Sequence, residues 1–189
     1  MMNPWLDHPD IHHAVAALKD GGVIAYPTEG VWGLGCLPEN EAAVLRILAL
    51  KQRPVEKGLI LVAARQDQVM PWLAPVTEAA QRQLAASWPG PNTWLIPHNG
   101  SVPPWITGQH PKLAVRVSDH PVVQALCELT ASALVSTSAN PQGLPAAMDA
   151  AEVTAYFSMG IDALAPGAVG ARGRPSLIRD LETGAEIRA

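Results

Sequence analysis

The stretch LALKQRPVEKGLILVAA, residues 48–64, joins the end of an apolar helical run to a buried strand through a short cationic loop. Because the residue before a proline is pushed toward extended geometry, Pro54 predicts that the helix ends near Lys51 and that Arg53 lies outside it. Residues two apart share a face only in extended backbone, so Lys51 and Arg53 can converge on one ligand once the helix has ended. The apolar run that follows has the length of a buried strand. The stretch therefore predicts a helix, a basic loop and a strand in succession.

The remainder of the chain shows the same alternation of helical and strand patterns. Pro9 begins a first helix, which Gly21 and Gly22 end. Further helices are predicted over residues 41–50, 66–72, 77–87, 121–130 and 150–157. Strands are predicted over residues 22–27, 31–36, 58–64, 93–96, 112–118, 161–164, 176–180 and 186–188 and at the start of 132–140, and the rest of the Pro-rich middle, residues 87–111, is predicted to be loop. This alternation predicts an α/β fold, with helices packed on a sheet, in a single domain spanning residues 1–189.

Composition and charge exclude several classes of protein. With 13 Lys and Arg against 17 Asp and Glu, the formal net charge of the 189 residues is −4, so no strong overall field draws the protein onto nucleic acid. The longest apolar runs are far shorter than the roughly 20 residues of a membrane helix, and the N-terminus lacks a secretory signal pattern. Cys36 and Cys127 have no ligand-like spacing and are expected to be reduced and buried. These features predict a cytoplasmic protein whose anion sites are local.

Common catalytic and nucleotide-binding motifs are missing from the sequence. There is no G-x-x-x-x-G-K-[ST] and no G-x-G-x-x-G that opens a helix, so neither a P-loop nor a Rossmann site is indicated. G-x-S-x-G and H-E-x-x-H are also absent, which removes the common serine hydrolase and zinc protease patterns. His8 and His12 are four residues apart, but without a third ligand a solvated helix face is favoured over a metal site.

Two further polar segments leave predicted strands. Ser136–Asn140 reads STSAN, and Tyr26–Glu29 reads YPTE. The hydroxyl and amide groups of the first can hydrogen-bond phosphate or ribose oxygens, while the cations of residues 51–57 supply charge. Simpler interpretations stay open: a solvated basic loop at a helix C-terminus, a local Ser/Thr turn and an ordinary turn. Because the loops have complementary chemistry and each adjoins an apolar strand, we expect them to form one cleft.

Several blocks of the sequence occur together in the order found in one known family. YPTEGVWGLGC, LKQRPVEKGLILVAA, SWPGPNTW, LAVRVSDHP and VSTSAN resemble the YrdC-like threonylcarbamoyl-AMP synthases, and the similarity extends from about Gly22 to Arg188. The K-x-R and S-x-N hallmarks of that family correspond to residues 51–53 and 138–140. The resemblance implies a twisted, open, mixed α/β sheet with flanking helices and a large basic concave surface.

The resemblance also implies an activity. Members of this family make threonylcarbamoyl-AMP from L-threonine, bicarbonate or CO2, and ATP with Mg²⁺, and they release pyrophosphate. A separate threonylcarbamoyl transferase complex then modifies the adenosine beside the anticodon of tRNA. A nucleotidyltransferase of this kind is the expected function. The alternative is a non-catalytic protein that binds RNA through a basic concave face, and a weak direct contact with tRNA stays open; a carbamoyl-transfer enzyme with another acceptor is a third candidate.

Nine residues receive roles from the resemblance. Catalytic roles fall to Lys51 and Arg53. The residues expected around the threonine and its carbamate are Thr28, Arg116 and Ser176. Those expected to bind the nucleotide are Lys57, Ser138, Asn140 and Arg188. No metal ligand from the protein is expected, and Ala146 stands where many relatives have a nucleotide-contacting serine.

The chemistry of the expected reaction leads to two further expectations. Because negative charge grows on the leaving pyrophosphate, Lys51 and Arg53 are expected to act as electrostatic clamps. Their replacement by Ala should then remove activity while stability stays near that of the parent protein. Carbamate formation needs a neutral amine, and for this step Glu29, Tyr26 and an uncatalysed reaction are the three alternatives.

Overall fold

The computed structural model describes residues 2–188, the side chain of Arg188 excepted. Its strands form one open sheet with the spatial order β7-β1-β2-β6-β3-β5-β4-β8-β9. The strand bounds are β1 Ile24–Pro27, β2 Trp32–Gly35, β3 Ile60–Ala63, β4 Asn92–Pro97, β5 Lys112–Val117, β6 Leu134–Ser138, β7 Ala163–Leu164, β8 Leu177–Asp180 and β9 Glu186–Arg188. The pairs β1/β7, β3/β5 and β4/β8 are parallel and the other pairs are antiparallel. The expected open mixed sheet is therefore confirmed.

Helices connect and cover these strands. Their bounds are α1 Pro9–Lys19, α2 Glu41–Lys51, α3 Glu78–Ser87, α4 Pro104–Thr107, α5 Pro121–Thr130 and α6 Ala150–Phe157. Short 3-10 helices span Pro4–Asp7, Val55–Lys57, Gln66–Gln68 and Met70–Trp72. No helix in the described part of the chain is long and apolar enough to cross a membrane.

Two predicted elements differ from those observed. The helix predicted over residues 66–72 is two separate 3-10 turns, because Pro71 has no N–H to donate and the Gln68 side chain accepts from the backbone N–H groups of Ala64 and Arg65 instead. The middle of the chain was predicted to be loop apart from one strand, but it also contains the short helix α4. Neither difference alters the order of the strands.

Strand β3 lies inside the sheet and is covered on both faces. Leu61 and Ala63 pack in a core cluster with α2 and α3, whereas Val62 packs in another cluster with α1 and α5. Burial on both faces explains why this strand is an uninterrupted apolar run rather than an alternating pattern. The polar loop before β3 is thereby anchored to the centre of the sheet.

Candidate functional site

A polar cavity of about 290 Å³ lies beside the loops that lead into β2 and β3 and out of β6. Eight of the nine residues with an expected role line it: Thr28, Lys51, Arg53, Lys57, Arg116, Ser138, Asn140 and Ser176. The side chain of the ninth, Arg188, lies outside the described residues. The cationic loop and the STSAN segment thus share one cleft, as their complementary chemistry indicated.

The end of α2 allows Lys51 and Arg53 to reach the same cavity. Asn40 caps the start of this helix through a 3.0 Å bond from the N–H of Ala43. At the other end Gln52 adopts the left-handed conformation with φ 52°, and the N–H of Arg53 donates back to the Leu48 carbonyl at 2.9 Å. The helix therefore stops at Lys51. Because Arg53 lies outside it, the two side chains are not directed to different faces of a helix.

Lys51 joins the two sides of the cavity. Its side chain is buried, with 6% of the residue exposed, and Nζ donates to the Ser138 carbonyl and to the carbonyl and Oδ1 of Asn140. These three acceptors use all the N–H donors of an ammonium group. Burial and the neighbouring Arg53 lower the pKa of Lys51 to about 8, although three acceptors favour the charged form. Lys51 thus fastens the S-x-N loop to the end of α2.

The polar groups of the S-x-N loop are also bonded to one another. Ser138 Oγ donates to Asn140 Oδ1 at 2.6 Å, and Asn140 Nδ2 donates to the Leu144 carbonyl at 2.7 Å. Gly143 lines the cavity, whereas Ala146 is not among its lining residues. The loop is therefore held in one shape by Lys51 and by its own side chains.

The other two cations keep surface that faces solvent. Arg53 is partly buried, and its Nε and Nη2 donate to the Gly58 carbonyl at 3.4 and 3.1 Å, which orients the guanidinium along the loop. Burial lowers the pKa of Arg53 from its ordinary value. Lys57, in the 3-10 turn that follows, is exposed. Unlike Lys51, Arg53 and Lys57 can therefore contact an anion without first losing three hydrogen bonds.

Arg116, on β5, is a buried cation paired with Glu29. Its Nη1 lies 3.2 Å from Glu29 Oε2, and only 6% of its side chain is exposed. Glu29 Oε1 in turn accepts from Ser118 Oγ at 2.7 Å and from the backbone N–H of Asp119 at 3.3 Å. Burial raises the pKa of Glu29, but Arg116 and Ser118 outweigh it and hold this pKa below its ordinary value.

Neither of the two candidate bases is suited to take a proton in this geometry. Glu29 is held ionised by its partners and is not among the residues that line the cavity. Tyr26 is fully buried and donates to the Val135 carbonyl at 3.0 Å, and burial raises its pKa above the ordinary value. These two groups are therefore poor acceptors for the proton of an amine.

Thr28 lies in the turn after β1, and Ser176 lies at the end of the segment 170–176. A backbone hydrogen bond joins this turn to the start of that segment. Thr28 Oγ1 donates to the Val31 carbonyl at 2.7 Å, and its own carbonyl accepts from the N–H of Gly170 at 2.9 Å. Ser176 Oγ lies 2.7 Å from Thr93 Oγ1. Both hydroxyls are thus fixed in position at the edge of the cavity.

Further lining residues received no individual role from the sequence. They include Trp32, Gly33, Ser136, Thr137, Gln142 and Pro175. Ser136 and Thr137 lie in the STSAN run, so their hydroxyls were a visible signal. Gly33 lies where a side chain would come within 3.4 Å of the Thr137 carbonyl. Nothing in the sequence pattern marks Gln142 or Pro175.

The cavity lining does not supply a magnesium site. Among the described residues, none that lines the cavity is Asp or Glu, and no group of three or more His, Cys, Asp or Glu could hold a metal ion. Mg²⁺ prefers carboxylate, phosphate and water oxygens in a near-octahedral arrangement. An ion in this cavity would therefore have to be held by ligand oxygens rather than by the protein's carboxylates.

A second cavity of about 470 Å³ adjoins the first. The two cavities share Arg53, Lys57, Leu59 and Ile60 as lining residues. The walls of the second are mainly apolar and include Leu95, Ile106, Leu113, Ile178 and Ile187. A ligand with an anionic part and a flat apolar part can therefore extend from one cavity into the other.

The open mixed sheet and the cation-lined cavity beside it define an α/β protein with a cavity suited to a small anionic ligand. A family model described as telomere recombination, Sua5/YciO/YrdC, matches residues 16–188. The chain therefore belongs to the Sua5/YciO/YrdC family, which confirms the family expected from the sequence blocks.

Comparison with individual proteins agrees with this assignment. A threonylcarbamoyl-AMP synthase of Saccharophagus degradans is 55% identical over 188 residues, which are 100% of this chain and 98% of the relative. The structure of Sua5 from P. abyssi in complex with L-threonine superposes with a TM-score of 0.87 at 32% identity, over 93% of this chain and 52% of that one, so the chain spans about half the length of that protein. YciO of E. coli superposes with a TM-score of 0.84 at 27% identity, over 94% of this chain and 87% of that one.

Proposed function

We propose that this protein is a threonylcarbamoyl-AMP synthase, a nucleotidyltransferase that forms threonylcarbamoyl-AMP from L-threonine, bicarbonate or CO2, and ATP, and releases pyrophosphate. The observation that carries the proposal is the single cavity into which Arg53, Lys57, Arg116 and the S-x-N loop all project. The reaction joins two anionic substrates, and such a cavity supplies cations for both. The relatives of matching length that are described as threonylcarbamoyl-AMP synthases support the same activity.

The amino acid occupies the end of the cavity formed by Thr28, Arg116 and Ser176. Arg116 receives the carboxylate, because a guanidinium offers two parallel N–H groups that match its two oxygens. The Thr28 turn and Ser176 border the same space. Sua5 of P. abyssi, which shares this fold, has been solved in complex with L-threonine, and that relation supports an amino-acid site in this chain.

The nucleotide occupies the end formed by the cationic loop and the S-x-N loop. Arg53 and Lys57 contact the phosphates, the hydroxyl and amide of Ser138 and Asn140 border the sugar, and the base extends into the second cavity. Arg188 is assigned to the nucleotide from the sequence alone. Lys51 acts by holding Ser138 and Asn140 in place, since its three donors are already engaged.

The chemical step is a displacement at the α-phosphorus of ATP. A carbamate oxygen forms the new P–O bond, the bond to the bridging oxygen breaks, and its electron pair leaves with pyrophosphate. Arg53 and Lys57 stabilise the negative charge that develops on the leaving group. Mg²⁺ reaches the site on the phosphates of ATP, and no step is assigned to a metal held by the protein.

The wider setting follows from the same activity. The product is passed to a threonylcarbamoyl transferase complex that modifies tRNA beside the anticodon, and the reaction takes place in the cytoplasm. The alternative of a non-catalytic RNA-binding protein has no specific observation in its favour. A cavity lined by buried polar groups is suited to small ligands, whereas RNA is bound by exposed cations and stacking aromatic residues.

The proposal is tested by mass spectrometry of the product formed from ATP, L-threonine and bicarbonate, with each omitted in turn. We expect threonylcarbamoyl-AMP and pyrophosphate only in the complete mixture. Arg53→Ala should lower the rate by about two orders of magnitude, as loss of one charge-stabilising donor does. Arg82→Ala, which removes an exposed cation on α3 outside the cavity, is the matched control. Formation of an adenylate without the amino acid, or an unchanged rate for Arg53→Ala, would contradict the proposal.

A further inference from the structure

Glu29 is a buried carboxylate that has no part in the reaction as proposed. Its side chain is 11% exposed and it is not among the residues that line the cavity, although its neighbours Thr28 and Arg116 are. Any influence of Glu29 on a ligand must therefore pass through another residue.

The first route runs through Arg116. A guanidinium with 6% of its side chain exposed requires a counter-charge, and Glu29 Oε2 supplies it from 3.2 Å. The pair is not an aligned two-bond fork, because Arg116 Nε and Glu29 Oε2 have no hydrogen-bond partner among the described residues. Glu29 thus holds the guanidinium by charge while leaving N–H donors for a second carboxylate at the cavity.

The second route runs through the backbone to residues 170–176, which we call the strap. The Glu29 carbonyl accepts from the N–H of Arg172 at 3.2 Å. A Cβ on Gly170 would lie 2.7 Å from the Glu29 carbonyl oxygen, and a Cβ on Gly30 would overlap the carbonyl oxygen of Arg174. The strap, which ends in Ser176, therefore packs directly against the turn that contains Glu29.

Glu29 is thus tied to each of the three residues expected around the amino acid. It is adjacent in sequence to Thr28, paired with Arg116 and bonded through its backbone to the strap of Ser176. We infer that Glu29 is the positioning residue of the amino-acid site, which orients Arg116 toward the substrate carboxylate and holds the strap in register with it. This inference rests on the proposed function. It assigns to Glu29 a role distinct from that of a general base.

The test is a double-mutant cycle between Glu29→Gln and Arg116→Gln, measured as pyrophosphate release at varied L-threonine and varied ATP. Glu29→Gln keeps the size of the side chain and removes its charge. We expect it to raise the KM for L-threonine about tenfold or more, as loss of an oriented charged contact does, with the KM for ATP changed less than about twofold. In the Arg116→Gln background the same change should raise the KM for L-threonine no further, because its target is gone.

Two further variants complete the experiment. Glu78→Gln, which removes an exposed carboxylate on α3, is the matched control and should leave both KM values unchanged. Glu29→Asp keeps the charge at a shorter reach and should restore part of the affinity for L-threonine. If Glu29→Gln does not fold, the KM values of Glu29→Asp are compared with those of the wild type instead.

The outcomes separate the inference from the proposed function. Additive effects of Glu29→Gln and Arg116→Gln on the KM for L-threonine would overturn the inference. A lower kcat for Glu29→Gln with an unchanged KM would overturn it as well and would indicate a general base. A wild-type protein without threonine-dependent pyrophosphate release would overturn the proposed function and the inference together.

Discussion

At the scale of single residues, Lys51 differs most from what the sequence indicated. Its place in K-x-R predicted a cation free to contact phosphate, with little effect on stability when removed. The structure instead buries Lys51 and engages it with the Ser138 carbonyl and with Asn140. A buried donor that satisfies several acceptors contributes to folding as well as to the site. The expectation of unchanged stability is therefore kept as a prediction for Arg53 and replaced for Lys51.

Replacement of Lys51 should be more damaging to stability than replacement of Arg53. Lys51→Met leaves the partly buried Asn140 carbonyl without its donor and takes one of two donors from the Ser138 carbonyl and from Asn140 Oδ1, so we expect a loss of about 1–3 kcal/mol in the free energy of unfolding. Arg53→Ala breaks only bonds to the Gly58 carbonyl and should cost less than about 1 kcal/mol. Urea unfolding of both variants measures the difference. Equal losses in the free energy of unfolding would show that Lys51 does not stabilise the S-x-N loop.

The same residue makes activity depend on pH. The pKa of Lys51 falls from 10.5 to about 8, so between these values the unfolded chain holds a proton that the folded chain has lost. The pH-dependent part of the stability that comes from this shift therefore increases as the pH rises from 8 to 10.5, and below pH 8 the titration of Lys51 adds nothing to the contribution of its hydrogen bonds. Activity should change in the opposite direction and fall above about pH 8, because the neutral amine has lost a donor and its charge.

The pH dependence of kcat/KM for pyrophosphate release checks this expectation. The alkaline limb of the wild-type profile should be centred near the pKa of Lys51. Lys51→Arg stays charged throughout this range, so any residual activity of that variant should lack the limb. A wild-type profile that stays level to pH 10 would show that the proton on Lys51 has no role.

At the scale of elements, the hairpin of β8 and β9 extends the sheet beyond β4 and adds one wall to the second cavity. Ile187 of β9 is 60% exposed although it lines that cavity. Its place in the wall of the cavity leaves the side chain accessible to a ligand that enters there. The expected ligand part is the base of the nucleotide.

An acidic residue in that wall should weaken nucleotide binding selectively. We expect Ile187→Asp to raise the KM for ATP about tenfold, because it places a carboxylate near the nucleotide and removes apolar contact area. The KM for L-threonine should stay the same. Met159→Asp, at a side chain that is 98% exposed and lines neither cavity, is the control. Equal effects of the two variants would place the base elsewhere.

At the scale of the whole molecule, the two largest core clusters share the central strand β3, through Leu61 and Ala63 on one face and Val62 on the other. The smaller third cluster, which includes Trp32 and Phe157, joins α6 to the β1/β2 end of the same sheet. Loss of β3 would expose both large clusters at once. We therefore propose that residues 1–189 fold as one domain.

Unfolding should accordingly occur in one transition. Far-UV circular dichroism reports the helices, and tryptophan fluorescence reports buried residues such as Trp32 and Trp94. We expect the two signals to change at the same urea concentration, as they do when no intermediate is populated. Two separated midpoints would show that the edges of the sheet unfold independently.

Local sequence signals determined most of the elements and their order. Pro9, Asn40, Thr77 and Pro121 lie at the starts of the helices α1, α2, α3 and α5, where capping and proline geometry predict them. Apolar runs such as residues 58–64 correspond to strands. An apolar run can be recognised as a buried strand without knowing which strand pairs with it. The site residues were found through short blocks of sequence, and the cavity then brought together eight of the nine.

The tertiary structure alone decided which strands pair, which cations are exposed to solvent and which residues far apart in the sequence are in contact. The pairing of Arg116 with Glu29, the three bonds of Lys51 and the contact of the strap with Glu29 all join segments far apart in sequence. Local propensity does not encode such contacts, since they depend on how the sheet brings its loops together. Burial has the same origin, and it is burial that changes Lys51 from a solvated cation into a structural one.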